Sequence, residues 1–181
     1  MGPTHSVRVE LRPLDRRLLE RRLDELIALD AAVRAELGDA YSHESWGRRE
    51  FLAERSGKWR YSMAAFVGER LAGFVIASRE AAAVHLHRLA VAPALRNRGI
   101  AGMLVGAVEA AARRDGLDRL GLSVGSDNAP ALAFWERHGF RPLDADGHRA
   151  YAAARGLKAV GSAVVAGGRP YRILEKRMEE G

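Results

Sequence analysis

One strand–turn–helix segment limits the fold more than any other part of the sequence. An apolar strand ends at Val91, a turn follows at Pro93, and residues 96–101 read Arg-Asn-Arg-Gly-Ile-Ala and open a helix. Consecutive backbone N–H groups at a helix N-terminus attract anions, and two guanidinium groups lie beside them here. Gly99 permits a close backbone approach because it has no Cβ. The segment therefore predicts a cradle for a diphosphate that is not a P-loop.

Length and composition are typical of one globular α/β domain spanning residues 1–181. The chain is 48% hydrophobic and 29% charged, and it is long enough to bury a sizeable core. No apolar run approaches the length of a membrane span, and residues 1–7 lack the apolar core of a signal peptide. The sequence has no cysteine, which excludes disulfides and thiolate metal sites. We expect a cytoplasmic location and no membrane partner, and we assign no metal ligands.

The basic charge is carried almost entirely by arginine. The formal net charge is +6, and lysine occurs only at positions 58, 158 and 176. Arginine forms planar, bidentate contacts with phosphates, which suits a phosphate-bearing cofactor as well as nucleic acid. The basic residues are scattered along the chain, as in an ordinary solvated surface. Charge alone therefore does not identify a partner.

Hydrophobic periodicity predicts strands and helices in the order β-α-α-β-β-β-α-β-α-β-β. The predicted strands are residues 6–13, 61–67, 71–78, 83–91, 120–124, a strand beginning at 140–143, and a terminal hairpin of 163–166 and 171–178. The predicted helices are residues 15–37, 45–55, 99–114 and 130–138, with a short helix near 149–155 inside a 144–158 loop. In the helix 99–114 we expect one buried face formed by Ile100, Met103, Leu104, Ala107, Val108 and Ala111.

Residues 86–140 resemble the GNAT superfamily of acyl-CoA-dependent N-acyltransferases. Arg96, Gly99 and Ala101 satisfy the pattern Arg/Gln-x-x-Gly-x-Gly/Ala, which follows Leu-Ala-Val. About thirty residues later, Asn128 opens the pattern Asn-x-x-Ala-x-x-Phe-Trp-x-x-x-Gly-Phe. The predicted element order matches the GNAT fold. The resemblance implies a mixed sheet in which two neighbouring strands splay apart and hold acyl-CoA in the cleft.

The resemblance also implies a set of contacts to acetyl-CoA or another acyl-CoA. Residues 96–102 would bind the diphosphate, and the edge of the strand 89–91 would hold the pantetheine arm, with a backbone N–H near Leu89 facing the thioester carbonyl. Asn128 would lie beside the pantetheine, although it is equally suited to capping a helix. The expected cofactor contacts are Leu89, Ala90, Val91, Arg96, Asn97, Arg98, Gly99, Ile100, Ala101, Gly102, Asn128 and Trp135. Phe134 and Phe140 are expected in the core.

Two histidines are the candidates for the catalytic base. His85 and His87 alternate with Leu86 and should share one face of their strand, a face that we expect to continue through Leu89 to Val91. The string is similar to serotonin N-acetyltransferase, in which a histidine pair on this strand passes the amine proton through water. Imidazole titrates near neutrality, which suits a proton acceptor. The alternative is that both side chains fill a polar part of the strand face.

Two other positions depart from the family pattern. Many GNAT enzymes place a tyrosine proton donor where this chain has Trp135, and an indole N–H does not ionise usefully. Solvent, Tyr151 or Tyr171 could take over the protonation of the leaving thiolate, or the site could carry out another reaction. A second family position for a base is a glutamate, and Ser123 stands there.

The acceptor is the least constrained part of the prediction. Glu44, His43 and Glu50 could bind a cationic amine, and an aromatic segment formed by Tyr41, His43, Trp46, Trp59 and Tyr61 could line a partly apolar pocket or belong to the core. We favour a small-molecule primary amine as the acceptor. A protein or peptide amine is the first alternative, and aminoacyl transfer from charged tRNA, or RNA binding, is the second. A homodimer is left open.

Overall fold

The computed structural model describes residues 7–179 as one mixed β-sheet with helices on both faces. The strands are β1 Val9–Pro13, β2 Met63–Val67, β3 Arg70–Glu80, β4 Ala83–Val91, β5 Arg119–Gly125, β6 Arg141–Pro142, β7 Lys158–Val160, β8 Ala163–Ala166 and β9 Arg169–Arg177. The helices are α1 Arg16–Arg21, α2 Leu23–Leu37, α3 Arg48–Leu52, α4 Lys58–Tyr61, α5 Ile100–Arg114, α6 Ala129–Arg137 and α7 Ala145–Ala153. Sheet order is β1-β2-β3-β4-β5-β9-β8-β7, with β6 on β9.

The two larger hydrophobic cores lie on opposite faces of the sheet, and a small third cluster lies under α7. Along β3, Val75 and Ala77 face the core formed with α5, whereas Phe74 and Ile76 face the core formed with α1 and α2. This alternation is the two-residue period of a strand buried on both sides. The predicted α/β class and mixed sheet are therefore confirmed. No helix in the described range 7–179 is long and apolar enough to cross a bilayer.

The helix that follows the cradle forms where it was predicted, with a rotated buried face. Ile100, Leu104, Val108 and Ala111 are buried as expected, but Ala107 is only half-buried, Met103 is 39% exposed and Val105 is buried instead. The buried stripe is centred near Leu104 and Val108. Because each residue of a helix is rotated by 100° from the one before, Met103 lies on the solvent side of this stripe.

Several of the predicted element boundaries were wrong. The helix predicted over 15–37 is divided at Arg22 into α1 and α2, and the helix predicted over 45–55 is reduced to α3. Gly57 does not end that helix but precedes α4, with a left-handed φ of +69°. α4 ends with Tyr61, where a strand was predicted to begin, and β2 begins at Met63. The first strand begins at Val9, and Ser6, the start of its predicted range, lies outside the described residues.

The C-terminal part contains the predicted hairpin and one unexpectedly regular helix. β8 and β9 pair across Gly167 and Gly168. The segment predicted as a loop with a short helix near 149–155 instead contains α7, which begins four residues earlier than expected. His148 is fully buried in α7, and its Nε2 accepts a hydrogen bond from the Ile173 N–H at 3.0 Å. This bond fixes α7 on the face of β9.

The parallel strands β4 and β5 separate soon after they begin. They pair only at Val84 with Leu120 and at His85 with Gly121, although β4 continues to Val91. β3 pairs with β4 along its other edge as far as Val91. The splayed pair implied by the family resemblance is therefore present, and its vertex lies at His85.

A β-bulge at His87 changes the faces of β4. Leu86 pairs with Ala77 and Arg88 with Ile76, so His87 is an extra residue. The face that carries the histidines therefore continues through Arg88 and Ala90, whereas Leu89 and Val91 pack in the core beside α5. The predicted continuation of the histidine face through Leu89 to Val91 was wrong, because the bulge reverses the alternation.

Candidate active site

The predicted anion cradle is an open turn at the start of α5. Asn97 and Gly99 have left-handed φ values of +60° and +75°, and nothing lies within 4 Å of the position of a Cβ on Gly99. The 15-residue helix begins at Ile100, so the N–H groups of its first turn have no intrahelical acceptors. These donors and the helix dipole give the site a positive potential.

Arg96 is held at the edge of this cradle by α2. Its Nη1 donates to Glu36 Oε1 at 2.5 Å, and its Nη2 is a buried atom with no hydrogen-bond partner among the described residues. A buried donor without an acceptor is unfavourable. That an anion in the cradle accepts from this atom stays a prediction. Arg98 is exposed at the surface of the same turn. The cradle residues thus fit a diphosphate by their donors and by their open space.

The free edge of β4 lies between the cradle and the vertex of the cleft. Beyond His85, the side of β4 that faces β5 has no strand partner in the described structure, so its peptide groups can pair with an extended ligand. Leu89, Ala90 and Val91 belong to this edge. Their contact with a pantetheine arm stays a prediction.

Asn128 and Trp135 both have structural partners of their own. Asn128 Oδ1 caps α6 by accepting from the Ala131 N–H at 3.2 Å, and its Nδ2 donates to the Ala40 carbonyl at 2.8 Å. The helix-cap prediction is confirmed, and the pantetheine contact stays a prediction. Trp135 is half-buried and packs edge-on against Phe140 at a centroid distance of 5.1 Å.

The two aromatic residues beside Trp135 differ in burial. Phe140 is fully buried in the core as expected. Phe134 is only half-buried and lies outside the core, with its ring centroid 4.4 Å from that of His138. The core prediction was therefore wrong for Phe134, because α6 turns that side chain toward His138.

The predicted histidine pair lies at the vertex of the cleft, together with two residues of β3. The His85 and His87 ring centroids are 4.8 Å apart. Ser78 Oγ is 2.6 Å from His87 Nε2, and the Glu80 carboxylate is 3.8 Å from His85 Nδ1 and 4.0 Å from His87 Nε2. Both imidazoles are largely buried. The two histidines were predicted from the sequence, whereas Ser78 and Glu80 were not.

Burial keeps both imidazoles neutral at neutral pH. The pKa of His87 is lowered to about 3, mainly by burial and to a smaller extent by the neighbouring His85 and the positive charge of Arg55. Burial also lowers the pKa of His85, while the Glu80 carboxylate opposes the shift. The expectation of titration near neutrality was therefore wrong for His87. His85 is the better proton acceptor of the two, because the Glu80 carboxylate favours its protonated form.

α7 closes one side of the histidine site. Arg155, in the turn after α7, donates from Nη2 to Glu80 Oε2 at 2.9 Å, and its guanidinium carbon lies 3.5 Å from the centroid of the Tyr151 ring. Burial raises the pKa of Tyr151, which keeps the phenol protonated. Tyr171 lies opposite Gly125, at the other end of β5 from the histidines. Of the two tyrosines considered from the sequence, only Tyr151 is near the site.

Glu80, His85 and His87 could also be considered as metal ligands. One donor atom from each lies within 4.8 Å of the others. Arg155 already binds the Glu80 carboxylate, and the charge of Arg55 acts on both imidazoles, which disfavours a second cation. We assign no metal to this cluster.

Comparisons with known proteins agree with this geometry. A model of the "Acetyltransferase (GNAT) family" matches residues 25–140 of the 181-residue chain.

The chain belongs to the GNAT family of acetyltransferases.

Three solved structures illustrate the GNAT likeness. PaiA N-acetyltransferase from Thermoplasma acidophilum in complex with coenzyme A has a TM-score of 0.65 and 20% identity, over 94% of this chain and 99% of that chain. Ribosomal-protein-S18-alanine N-acetyltransferase from Escherichia coli has a TM-score of 0.62 and 16% identity, over 96% of each chain. Arabidopsis thaliana Naa50 in complex with the bisubstrate analogue CoA-Ac-MVNAL has a TM-score of 0.62 and 15% identity, over 94% of this chain and 99% of that chain. A search of curated proteins finds no significant match.

Membership of the GNAT family establishes the reaction class. The enzyme transfers an acyl group from acetyl-CoA to an amine, and acyl-CoA is its cosubstrate. The structural neighbours share the fold at low identity and do not identify the amine.

The acceptor residues predicted for this GNAT enzyme are dispersed. Glu50 accepts from the Gly47 N–H at 3.0 Å, which holds the pKa of its carboxyl below the usual range and ties it to the start of α3. His43 lines a small polar cavity of about 50 Å³ with Asp127 and Tyr171, away from the histidine pair. Glu44 is exposed on the same connection between α2 and α3. None of these three side chains joins the histidine site.

The aromatic segment mostly supports a buried ion pair that was not predicted from the sequence. Arg88 makes a bidentate pair with Asp30, at 2.7 and 2.8 Å, and both residues are buried. The Tyr41 hydroxyl donates to the same carboxylate, and the Arg88 guanidinium lies over the rings of Tyr41 and Trp46. Arg88 also donates to the Glu44 carbonyl at 3.0 Å. The network therefore fixes the α2–α3 connection to β4, next to His87.

The remaining aromatic residues lie around the two short helices. Tyr61 is buried in the core beside α5, and Trp59 packs against the core formed with α1 and α2.

One signal in the sequence could have predicted Ser78 as a neighbour of the histidines. The loop of β3 and β4 has only two residues, Ala81 and Ala82, and this register places Ser78 opposite His85.

Proposed function

We propose that this GNAT enzyme transfers an acetyl or short acyl group from acyl-CoA to the primary amine of a small molecule. The proposal rests chiefly on the position of His85. This buried, neutral imidazole is the last residue of β4 that pairs with β5, so it lies where the cleft begins, beside Glu80.

The cofactor contacts follow from the open features of the structure. The first-turn N–H groups of α5 and the partnerless Nη2 of Arg96 would bind the diphosphate, and Gly99 leaves the space that a phosphate needs. The free edge of β4 at Leu89, Ala90 and Val91 would accept the extended pantetheine arm.

The chemistry requires a proton acceptor for the amine and a hydrogen-bond donor to the carbonyl oxygen, where negative charge develops. When bound, acetyl-CoA supplies a thioester carbonyl; the amine forms the C–N bond, the C–S bond breaks, and sulfur leaves as thiolate. His85 takes the proton that the amine loses, directly or through one water, and Glu80 stabilises the resulting imidazolium. A backbone N–H near Leu89 stabilises the negative charge on the carbonyl oxygen. Solvent or Tyr151 protonates the thiolate.

The position of α7 supports a small acceptor over a protein. Arg155 reaches across to Glu80, and α7 is held on β9 by the buried His148. A peptide would need an open groove on this side of the sheet, where the structure has a helix. Acylation of a protein or peptide amine and aminoacyl transfer from charged tRNA stay as the alternatives to be tested.

The testing experiment is calorimetric titration with acetyl-CoA at low and moderate salt, followed by a screen of amines for thiol release. We expect one-to-one binding that survives moderate salt, and acetylation of a small primary amine. Binding that is abolished by a modest rise in salt would instead indicate a phosphate-driven surface, and charged tRNA would become the next candidate. Acetylation of peptides alone would contradict the small-molecule proposal.

The other expectations stay predictions. A cytoplasmic location and one GNAT domain over residues 1–181 follow from the composition and the continuous element order. Whether the enzyme forms a homodimer is left to measurement of its mass in solution.

A further inference from the structure

At the floor of the histidine site, β5 contributes a glycine. Gly121, the β5 partner of His85, has no side chain, and a Cβ there would lie 3.9 Å from His85 Nδ1. Two residues further along β5, Ser123 shares this face and is exposed. Glu175 is the β9 partner of Gly121 and lies on the same face, so Gly121 is bordered by His85 on β4 and by Glu175 on β9.

The walls of this space carry charges of both signs. Glu80 and Arg155 form an ion pair at 2.9 Å, and about a third of each side chain is exposed. Arg55 belongs to a turn docked on the same end of β3, where the Ser56 carbonyl accepts from the Arg79 N–H at 2.7 Å. The positive charge of Arg55 acts on both imidazoles. An acceptor in this site therefore meets the carboxylates of Glu80 and Glu175 and the guanidinium groups of Arg55 and Arg155.

An amine whose ammonium group is its only charge complements the carboxylates of these walls but not their guanidinium groups. At Glu80 its ammonium ion would compete with Arg155, and no group of the ligand would pair with the displaced guanidinium. A polyamine would in addition bring further positive charge close to Arg55 and Arg155. An amine that carries a carboxylate avoids both costs, because its ammonium group can take Glu80 while its carboxylate takes Arg155.

We propose that the acceptor is a small amine with an anionic group one or two carbons from the nitrogen, and that Arg155 binds this group while Glu80 binds the ammonium ion before its proton is lost. This inference rests on the proposed function. A carboxylate and a phosphonate share the recognising chemistry. The spacing between Arg155 and Glu80 requires the two charged groups of the acceptor to be close together.

The experiment compares matched amines by thiol release from acetyl-CoA. Each pair consists of an L-amino acid and its amide, and a third arm uses the aminoalkyl phosphonate of the same carbon skeleton. The enzymes are wild type, Arg155→Gln, Arg155→Lys and the control Arg149→Gln, which removes an exposed arginine of α7 that pairs with Asp146. Acetyl-CoA affinity and thermal midpoint are measured for each variant.

We expect the wild type to prefer amines with an anionic group by about tenfold or more in kcat/KM, since a hydrogen bond to a charged group contributes about 1.5–3 kcal/mol. Arg155→Gln should lose this preference mainly through KM, Arg155→Lys should recover part of it, and Arg149→Gln should retain it. Acetyl-CoA affinity should be unchanged throughout. The phosphonate arm shows whether the site prefers a carboxylate.

The contrary results are distinct from a failure of the proposed function. Equal use of amino acids and their amides, a preference for polyamines, or an unchanged preference in Arg155→Gln would overturn the inference while acetyl transfer to an amine still stands. A screen in which only amines without an anionic group are acetylated would also overturn the inference. Absence of acetyl-CoA binding would remove the proposed function and this inference together.

Discussion

Among single residues, His85 is expected to control turnover without affecting cofactor binding. Replacement by alanine removes the proton acceptor at the vertex of the cleft, and a lost general base typically costs about 10²–10⁴-fold in rate. We therefore expect His85→Ala to lower kcat by that order while the acetyl-CoA affinity measured by calorimetry is unchanged. His87→Ala should cost less, because the pKa of His87 is lowered to about 3. Equal activity of His85→Ala and wild type would remove His85 from the mechanism.

The pH profile of the wild type provides a second test of His85. The neutral imidazole is the active form, and burial lowers its pKa below the ordinary value of 6.5. As pH falls, the loss of kcat/KM that protonation of His85 causes should therefore begin only below pH 6.5. Glu80→Gln removes the charge that opposes the shift and should move this limb to still lower pH. A limb at or above pH 6.5 that disappears in His85→Ala would contradict the structure.

Gly99 is expected to affect cofactor binding and leave the chemical step intact. Its φ of +75° is strained for a residue with a Cβ, at about 1–2 kcal/mol, and a branched side chain would also enter the open space in front of the cradle. Gly99→Val should therefore weaken acetyl-CoA binding by about tenfold or more, measured by calorimetry. The matched control is Gly106→Ala, on the exposed side of α5, which should bind normally and be slightly more stable. Normal affinity in Gly99→Val would mean that the cradle lies elsewhere.

At the level of elements, the ion pair of Arg88 and Asp30 joins α2 to β4 beside the bulge. Breaking a buried pair from one side leaves an uncompensated charge and typically costs about 3–5 kcal/mol. We expect Asp30→Leu to reduce the free energy of unfolding by this amount in urea titration, and the double variant Asp30→Leu/Arg88→Met to recover much of the loss. Asp146→Ala, which removes an exposed pair with Arg149, should have almost no effect. Additive losses in the double variant would exclude a direct coupling.

The same elements show what can be predicted from the sequence. β4 and α5 were placed correctly because each has a strong period and ends at a turn or a glycine. The bulge at His87 has no local signal, since two alternating histidines look the same with or without it. The division at Arg22 has neither proline nor glycine to mark it. Arg155 meets Glu80 across 75 residues, and only the packing of α7 on the sheet brings them together.

For the molecule as a whole, Lys58 should make the stability depend on alkaline pH. Its side chain is fully buried and donates to the carbonyls of Phe51 and Ala53, at the end of α3. Burial lowers the pKa of Lys58 from 10.5 to about 8. Between these values the unfolded chain holds a proton that the folded chain has released, so the free energy of unfolding rises with pH, by at most about 1.4 kcal/mol per unit.

Lys58→Met removes this proton release, two hydrogen bonds and the cost of burying an ammonium group, and the last two effects on stability oppose each other. The informative quantity is the difference in the free energy of unfolding between the two proteins, measured by urea titration from pH 7 to 10. This difference should grow as pH rises above 8, because all other titrating groups are common to both and cancel. Lys158→Met, at an exposed position, should show a constant difference. A constant difference for Lys58→Met as well would mean that Lys58 is charged in the folded protein up to its ordinary pKa.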